Sequence, residues 1–199
     1  MQGKAMGEIV SFLESKGVEF SKLDALEFFA RDASWQATKY SGKVRSMAAW
    51  EIDSQYEVDL RKNLPMATIA IGDSFILAKE DKYANLFDFI VFDNPQGGYA
   101  EHCEHFECID LVPYLIKKQG GLVVFNINRT PFNYDKNSTW GKRRVEYYGQ
   151  DASDLEAGFL LNFYKHKFSR LGMDVEFSFE QKRNEEYLSY LIFKLKPLY

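Results

Sequence analysis

The sequence predicts an α/β protein: a three-layer sandwich around a mainly parallel, seven-stranded sheet that ends in an antiparallel hairpin. Three observations predict it. Five short apolar runs alternate with capped or amphipathic stretches, the pattern of strands joined by helical crossovers on both sheet faces. Four of those runs end in an acid, at Glu27, Glu51 (or Asp53), Asp73 and Asp93. After a last helix, two more apolar runs are parted only by the polar link Glu180–Glu186, which is short enough for a hairpin.

The elements follow in order. Glu8–Lys16 reads as a helix, with Ile9, Phe12 and Leu13 on one face and Gly17 as its stop. Asp24–Ala30 is the first strand, and Asp32 or Ser34 caps a helix over Ala33–Tyr40. Val44–Asp53 is the second strand. A helix over Ser54–Asn63 follows, capped by Ser54 and closed by Pro65. Thr68–Ile71 is the third strand and leads through Gly72-Asp73-Ser74 into a short helix or loop over Phe75–Ala84. Phe87–Phe92 is the fourth strand, with Glu101–Lys118 as the next helix and Pro113 as a kink or break in it. Gly120-Gly121 stops that helix before the fifth strand, Leu122–Ile127. Arg129–Gln150 is polar, aromatic and too long for an ordinary connection, so it reads as a functional loop or lid. Ser153–Leu171 is an amphipathic helix with Leu155, Phe159, Leu160, Phe163 and Phe168 on its apolar face, and Val175–Phe179 with Tyr187–Phe193 forms the hairpin.

At 199 residues, 46% hydrophobic, the chain suits one domain with a real core, residues 1–20 forming a helical extension. A net charge of -4 argues against bulk polyanion binding. Two cysteines, Cys103 and Cys108, form no disulfide framework and point to a reducing compartment. The first residues carry no apolar signal core, and no apolar run reaches the roughly 18 residues of a membrane span, so a cytoplasmic location is expected.

In an open parallel sheet, ligands sit outside the carboxyl ends of the strands. Acids there accept hydrogen bonds from ribose hydroxyls, an adenine amine or an ammonium group, and they repel phosphate. The chain has neither a GxxxxGK[ST] run nor an intact GxGxxG. The site therefore suits a cationic or neutral nucleoside.

Leu26-Glu27-Phe28-Phe29-Ala30, Trp50-Glu51-Ile52-Asp53, Ile71-Gly72-Asp73-Ser74 and Asp88-Phe89-Ile90-Val91-Phe92-Asp93-Asn94-Pro95 together resemble the four motifs of the class I S-adenosylmethionine-dependent methyltransferases, which have a Rossmann-like fold. The resemblance runs from about Lys22 to Leu195. It implies S-adenosyl-L-methionine as cofactor, with Glu27 near its methionine amine, Glu51 at the ribose and Asp73 at the adenine. Ala30, Arg31, Ile52, Ser74 and Asp93 complete the implied cofactor site. One departure stands out: Arg31 and Ala33 occupy positions where the family's first motif is rich in glycine. This keeps a second reading open, that of a catalytically degenerate member acting as a binding or scaffold subunit. An aminopropyltransferase-like enzyme on the same fold is a third.

Asp93-Asn94-Pro95-Gln96-Gly97-Gly98-Tyr99 partly resembles the Asp/Asn-Pro-Pro-Tyr/Phe motif of amino-methylating nucleic-acid methyltransferases. That implies Asp93, Asn94 and Tyr99 as the catalytic group, with Tyr99 stacking on a target base. The other reading of this stretch is a glycine-rich turn. His102, Cys103, His105 and Cys108 cluster after this turn, but a structural zinc site would bring a second pair from elsewhere, and only His166 remains, so no metal is expected; His102 or His105 is instead a candidate base or acceptor contact. Asn94, Pro95, Asn126 and Arg129 join it as candidate acceptor-binding residues. Lys142-Arg143-Arg144 among Trp140, Tyr147 and Tyr148 is either a nucleic-acid-binding lid, with Arg143 as its contact, or a solvated loop. The expected acceptor is a nucleic acid or nucleotide amine, or a small molecule.

Overall fold

The structure, a computed structural model, describes residues 4–93, 105–131, 134–183 and 188–198. Its strands are β1 (Asp24–Glu27), β2 (Ser46–Glu51), β3 (Thr68–Ile71), β4 (Phe89–Phe92), β5 (Gly121–Asn128), β6 (Met173–Lys182) and β7 (Leu188–Pro197). They form one sheet in the order β3-β2-β1-β4-β5-β7-β6. β1 to β5 run parallel, and β7 inserts antiparallel between β5 and β6.

Strand side chains alternate between two cores, which gives the three layers. One face carries Leu26, Trp50, Phe92 and Phe125 and is covered by helix α6 (Ala157–Arg170) through Leu160, Tyr164 and Phe168. The other carries Ala25, Ala49, Val91 and Val124 and is covered by helices α1 (Lys4–Ser15) and α2 (Glu57–Asn63). Glu27 and Asp93 follow the parity of Ala25 and Val91, so both acids belong to the α1 face. Gly120 (φ 87°) and Gly121 bring the chain into β5 so closely that a Cβ on either would strike backbone at Leu195 or Asp88. The lower end of the sheet is tied by ion pairs: Lys117 Nζ reaches Asp24 at 2.6 Å and Asp88 at 2.5 Å, and Arg45 Nε donates to Asp24 Oδ1 at 2.9 Å.

Several elements differ from the sequence reading. The predicted helix over 33–40 is a series of turns with a single 3-10 turn, Ala37–Lys39, because Ala33 has a left-handed φ of 52° that a helical first turn does not admit. The predicted loop over 129–150 holds helix α5 (Thr139–Tyr148), capped at its start by Ser138 and closed by Gly149 at φ 71°. Gly141 inside α5 disguised it; the glycine is needed because Asp135 backbone packs where its Cβ would stand. The predicted helix 101–118 is a 3-10 stretch, His105–Leu111, followed by the short α4 (Val112–Leu115), with Pro113 in the first turn of α4. Asp53, not Ser54, caps the turn that leads into α2, accepting from the Gln55 amide. The short α3 (Ser74–Leu77) is capped by Asp73. α1 begins at Lys4, and Phe12 is half-exposed against Phe179 instead of in the core. Both hairpin strands are longer than expected.

Candidate functional site

The chain leaves β1 through a tight path that sets up one end of the sheet. The Phe28 amide still bonds the Val91 carbonyl and the Ala30 amide the Trp50 carbonyl, both at 2.9 Å, so the chain hugs β4 and then β2. It then turns at Arg31 (φ 49°) and Ala33 (φ 52°). These are the positions where the resembling motif carries glycine, and the backbone takes a glycine-like conformation with side chains present, which costs about 1–2 kcal/mol per residue. Hydrogen bonds hold it there. The Arg31 amide donates to Glu51 Oε2 at 2.6 Å, the Ala33 amide to the Ala30 carbonyl at 2.8 Å, and Asn63 Nδ2 to the Asp32 carbonyl at 2.8 Å. Glu51 also accepts from the Asp53 amide through Oε1 at 2.9 Å. The Arg31 guanidinium lies over the Tyr56 ring, 5.3 Å from its centroid.

Glu27 and Asp93 end adjacent strands and are both buried, at 2% and 8% exposure. Tyr40 OH donates to Glu27 Oε2, and Tyr190 OH donates to Asp93 Oδ1. Arg183 supplies the nearby positive charge: its Nη1 lies 3.8 Å from Asp93 Oδ1, and its guanidinium lies 5.3 Å over the Tyr190 ring. Burial, and then the charge of Asp93, raise the Glu27 carboxyl well above the usual carboxylate range against the pull of the Tyr40 bond. Burial raises Asp93 too, opposed by Arg183 and by Tyr190. Tyr40 and Tyr190 are pushed up by burial, then by the carboxylates they serve. Two desolvated carboxylates beside one guanidinium make a site that is stabilised by a proton or by an added cation.

A cleft of about 160 Å³ opens here, lined by Glu27, Asp93, Arg183 and the residues from Ala30 to Ala37, Gln36 among them. Among the predicted residues, the structure thus brings Glu27, Ala30, Arg31 and Asp93 together, with Glu51 behind the Arg31 amide. Ile52 stands 58% exposed past the end of β2. Asp73 accepts from the Phe75 amide, and Ser74 Oγ donates to the Phe28 carbonyl at 2.7 Å, tying the β3 end to the β1 end. Asn126 is buried on β5; its Nδ2 donates to the Asp93 carbonyl, and its Oδ1 has no hydrogen-bond partner among the described residues. Arg129 pairs with Glu180 at 3.5 Å, and Arg143 on α5 pairs with Glu107; neither lines the cleft. Asn94, Pro95, Tyr99 and His102, with Cys103, lie outside the described residues. Cys108 is a buried free thiol.

The basic run on α5 is divided in its roles. Arg144 is fully buried and donates to the carbonyls of Ala152 at 3.0 Å and Asn128 at 2.7 Å, a tie between α5 and the chain on either side. Lys142 alone of the three is exposed. Sequence reasoning also missed Gln36 and Arg183, which line the cleft, and Tyr40 and Tyr190, which bond its two acids. Tyr190 was visible only as one member of an alternating strand, and Tyr40 only as the end of an expected helix.

Comparison of the whole structure with solved structures decides the fold. A putative O-methyltransferase from Klebsiella pneumoniae superposes with a TM-score of 0.61 at 10% identity, over 98% of this chain and 81% of that one. A TehB-like SAM-dependent methyltransferase from Corynebacterium glutamicum gives 0.57 at 13%, over 96% and 88%. M. jannaschii TYW2, solved in complex with AdoMet, gives 0.54 at 9%, over 96% and 76%. The chain has the Rossmann-like fold of class I S-adenosylmethionine-dependent methyltransferases. At these identities the likeness is one of fold. No protein-family profile and no curated protein sequence matches the chain. Within this methyltransferase fold the turns at 33–40 replace the helix expected after β1, and no helix among the described residues is long and apolar enough to cross a membrane.

Proposed function

We propose that the chain binds S-adenosylmethionine at the carboxyl ends of β1, β2 and β3 and transfers its methyl group to an acceptor beside Asp93. The observation that carries this reading is the buried pair Glu27 and Asp93 lining one cleft. The donor set fits the group: carboxylates for an ammonium and for ribose hydroxyls, and an exposed Ile52 beside Glu51 for a flat apolar face. The cleft is smaller than the roughly 300–1,000 Å³ of a usual small-molecule site, so it suits the amino-acid end, with the nucleoside along the open rim towards Glu51 and Asp73.

When bound, S-adenosylmethionine supplies a methyl group made electrophilic by its sulfonium. The chain's own residues do the rest. Glu51 holds the Arg31 amide in place and keeps lone pairs for hydroxyl donors. Glu27, oriented by Tyr40, lends negative charge to the cationic end. The Asn126 amide oxygen, which has no partner among the described residues, accepts a hydrogen bond from the attacking group; alignment is most of what such a transfer needs. A small acceptor is favoured over a nucleic acid, because Arg144 is buried and Arg143 is paired, which removes the basic lid that, with Asn94-Pro95, carried the nucleic-acid expectation.

A specific observation keeps the binding-module reading as the second: Arg31 and Ala33 line the cleft at positions where the resembling motif is rich in glycine. Calorimetric titration of the whole chain with S-adenosylmethionine and S-adenosylhomocysteine separates the two. The enzyme reading expects one site per chain and at least a tenfold loss in Glu51→Ala, which removes two acceptor oxygens. A folded protein that binds neither ligand refutes it and supports the second reading.

A further inference from the structure

Gln36 stands out as a polar side chain that the fold does not use. It is 6% exposed and lines the cleft with Glu27 and Asp93, yet its amide oxygen has no hydrogen-bond partner. A buried acceptor left unmet is destabilising and needs a reason. The neighbouring oxygens supply one. Tyr40 takes up one oxygen of Glu27 and Tyr190 one oxygen of Asp93, which leaves the second oxygen of each. With the Gln36 amide turned to show its oxygen, these would be three acceptors lining the same cleft. An ammonium group carries three N–H donors and no acceptor. A neutral amide is the right third member, since a third carboxylate would add charge to a pair already costly to ionise. A turn about its last torsion lets the amide show oxygen to the cleft.

We infer that Gln36 is a specificity-determining residue of this cleft: with Glu27 and Asp93 it reads the α-ammonium of an amino-acid head group, and so selects ligands that carry one. The inference rests on the S-adenosylmethionine reading above and names the part of the ligand that the cleft recognises. It sets apart a residue of the turns at 33–40, the segment where this chain departs from the helix its motif predicts.

The test is a pair of titrations on the whole chain, one with S-adenosylhomocysteine and one with its deamino counterpart, in which hydrogen replaces the α-amino group. The parent binds the amine-bearing ligand at least tenfold more tightly. Gln36→Met keeps the length of the side chain and removes the acceptor; it lowers that ratio by about tenfold, the size of one hydrogen bond to a charged group. Gln36→Met melts no lower than the parent, because it removes an unmet polar group, and Gln36→Ala serves in the same titrations should Met fail to pack. An unchanged ratio in a folded variant overturns the role of Gln36 and leaves the cofactor reading standing. A parent that binds neither ligand overturns both.

Discussion

Ala33 offers a direct test of the turn that shapes the cleft. Its φ is 52° and its side chain is buried. An L-residue in that conformation costs about 1–2 kcal/mol. Glycine removes the strain, but gives back about 0.5–1 kcal/mol through the greater freedom of the unfolded chain. It also gives up about 0.8 kcal/mol with the buried methyl. Ala33→Gly is therefore expected within about 1 kcal/mol of the parent. Valine behaves oppositely: a β-branched residue is a true outlier at positive φ, and two further carbons overpack a closed site by about 1–3 kcal/mol. Ala33→Val should lose about 2–4 kcal/mol. Urea unfolding followed by tryptophan fluorescence reads both variants, and with an unchanged slope the shift in midpoint gives the difference. If valine and glycine variants unfold at the same midpoint, residue 33 is not left-handed and the shape of the cleft is wrong.

Further expectations follow from the charges. Glu27 is raised by burial and by Asp93, so the folded protein holds that proton more tightly than the unfolded chain, and stability falls as pH rises above the ordinary carboxylate pKa, about 4.3. Glu27→Gln should thus gain in melting temperature on the parent as pH rises from about 5 to 8, while losing affinity for S-adenosylmethionine; a gain that stays constant over that range argues against a desolvated Glu27. Asp24 has the opposite sign: Arg45, then Lys117, hold its carboxyl well below the usual range, so its stabilisation is full above about pH 4 and fades as acid protonates it in the folded state. Lys117→Met should cost about 1–2 kcal/mol at neutral pH and flatten the acid limb of the stability curve, and an unaltered limb would remove the network from the account. Arg144→Leu strands the Asn128 and Ala152 carbonyls and should cost about 2–4 kcal/mol. Its melting point should fall by roughly 5–10 °C, whereas Lys142→Ala stays within about 0.5 kcal/mol; equal effects in a thermal scan would contradict the burial of Arg144.

What could be read from the chain was what depends on local pattern. Apolar runs such as Phe89-Ile90-Val91-Phe92 announce central strands, and acids at strand ends announce the rim where ligands sit, so the layers, the hairpin and Glu27, Glu51 and Asp93 were all visible. What could not be read depends on contacts far along the chain. Arg144 looks like a surface charge because nothing near it says that the carbonyls of Asn128 and Ala152 will close over its head. Gly141 looks like a helix breaker because its reason, the Asp135 backbone, lies outside the helix. The left-handed φ of Ala33 was hinted at only by the glycine that the resembling motif carries there; alanine itself gives no sign of it, and bonds to Glu51 and Asn63 on other segments help to hold the turn. Tyr40, Arg183 and Tyr190 meet the acids only after the sheet has assembled.

The Tyr190 to Asp93 hydrogen bond joins residues 97 positions apart, through a strand that enters the sheet between two others. β6 and β7 pair as a local hairpin, but the bond to Asp93 needs β7 seated against β5. Contacts of such separation form late and slowly. The cleft is therefore made from distant parts of the chain: a chain halted during synthesis before residue 190 holds Asp93 without the hydroxyl that orients it. Ligand binding by this protein would then report that its last strand has come home.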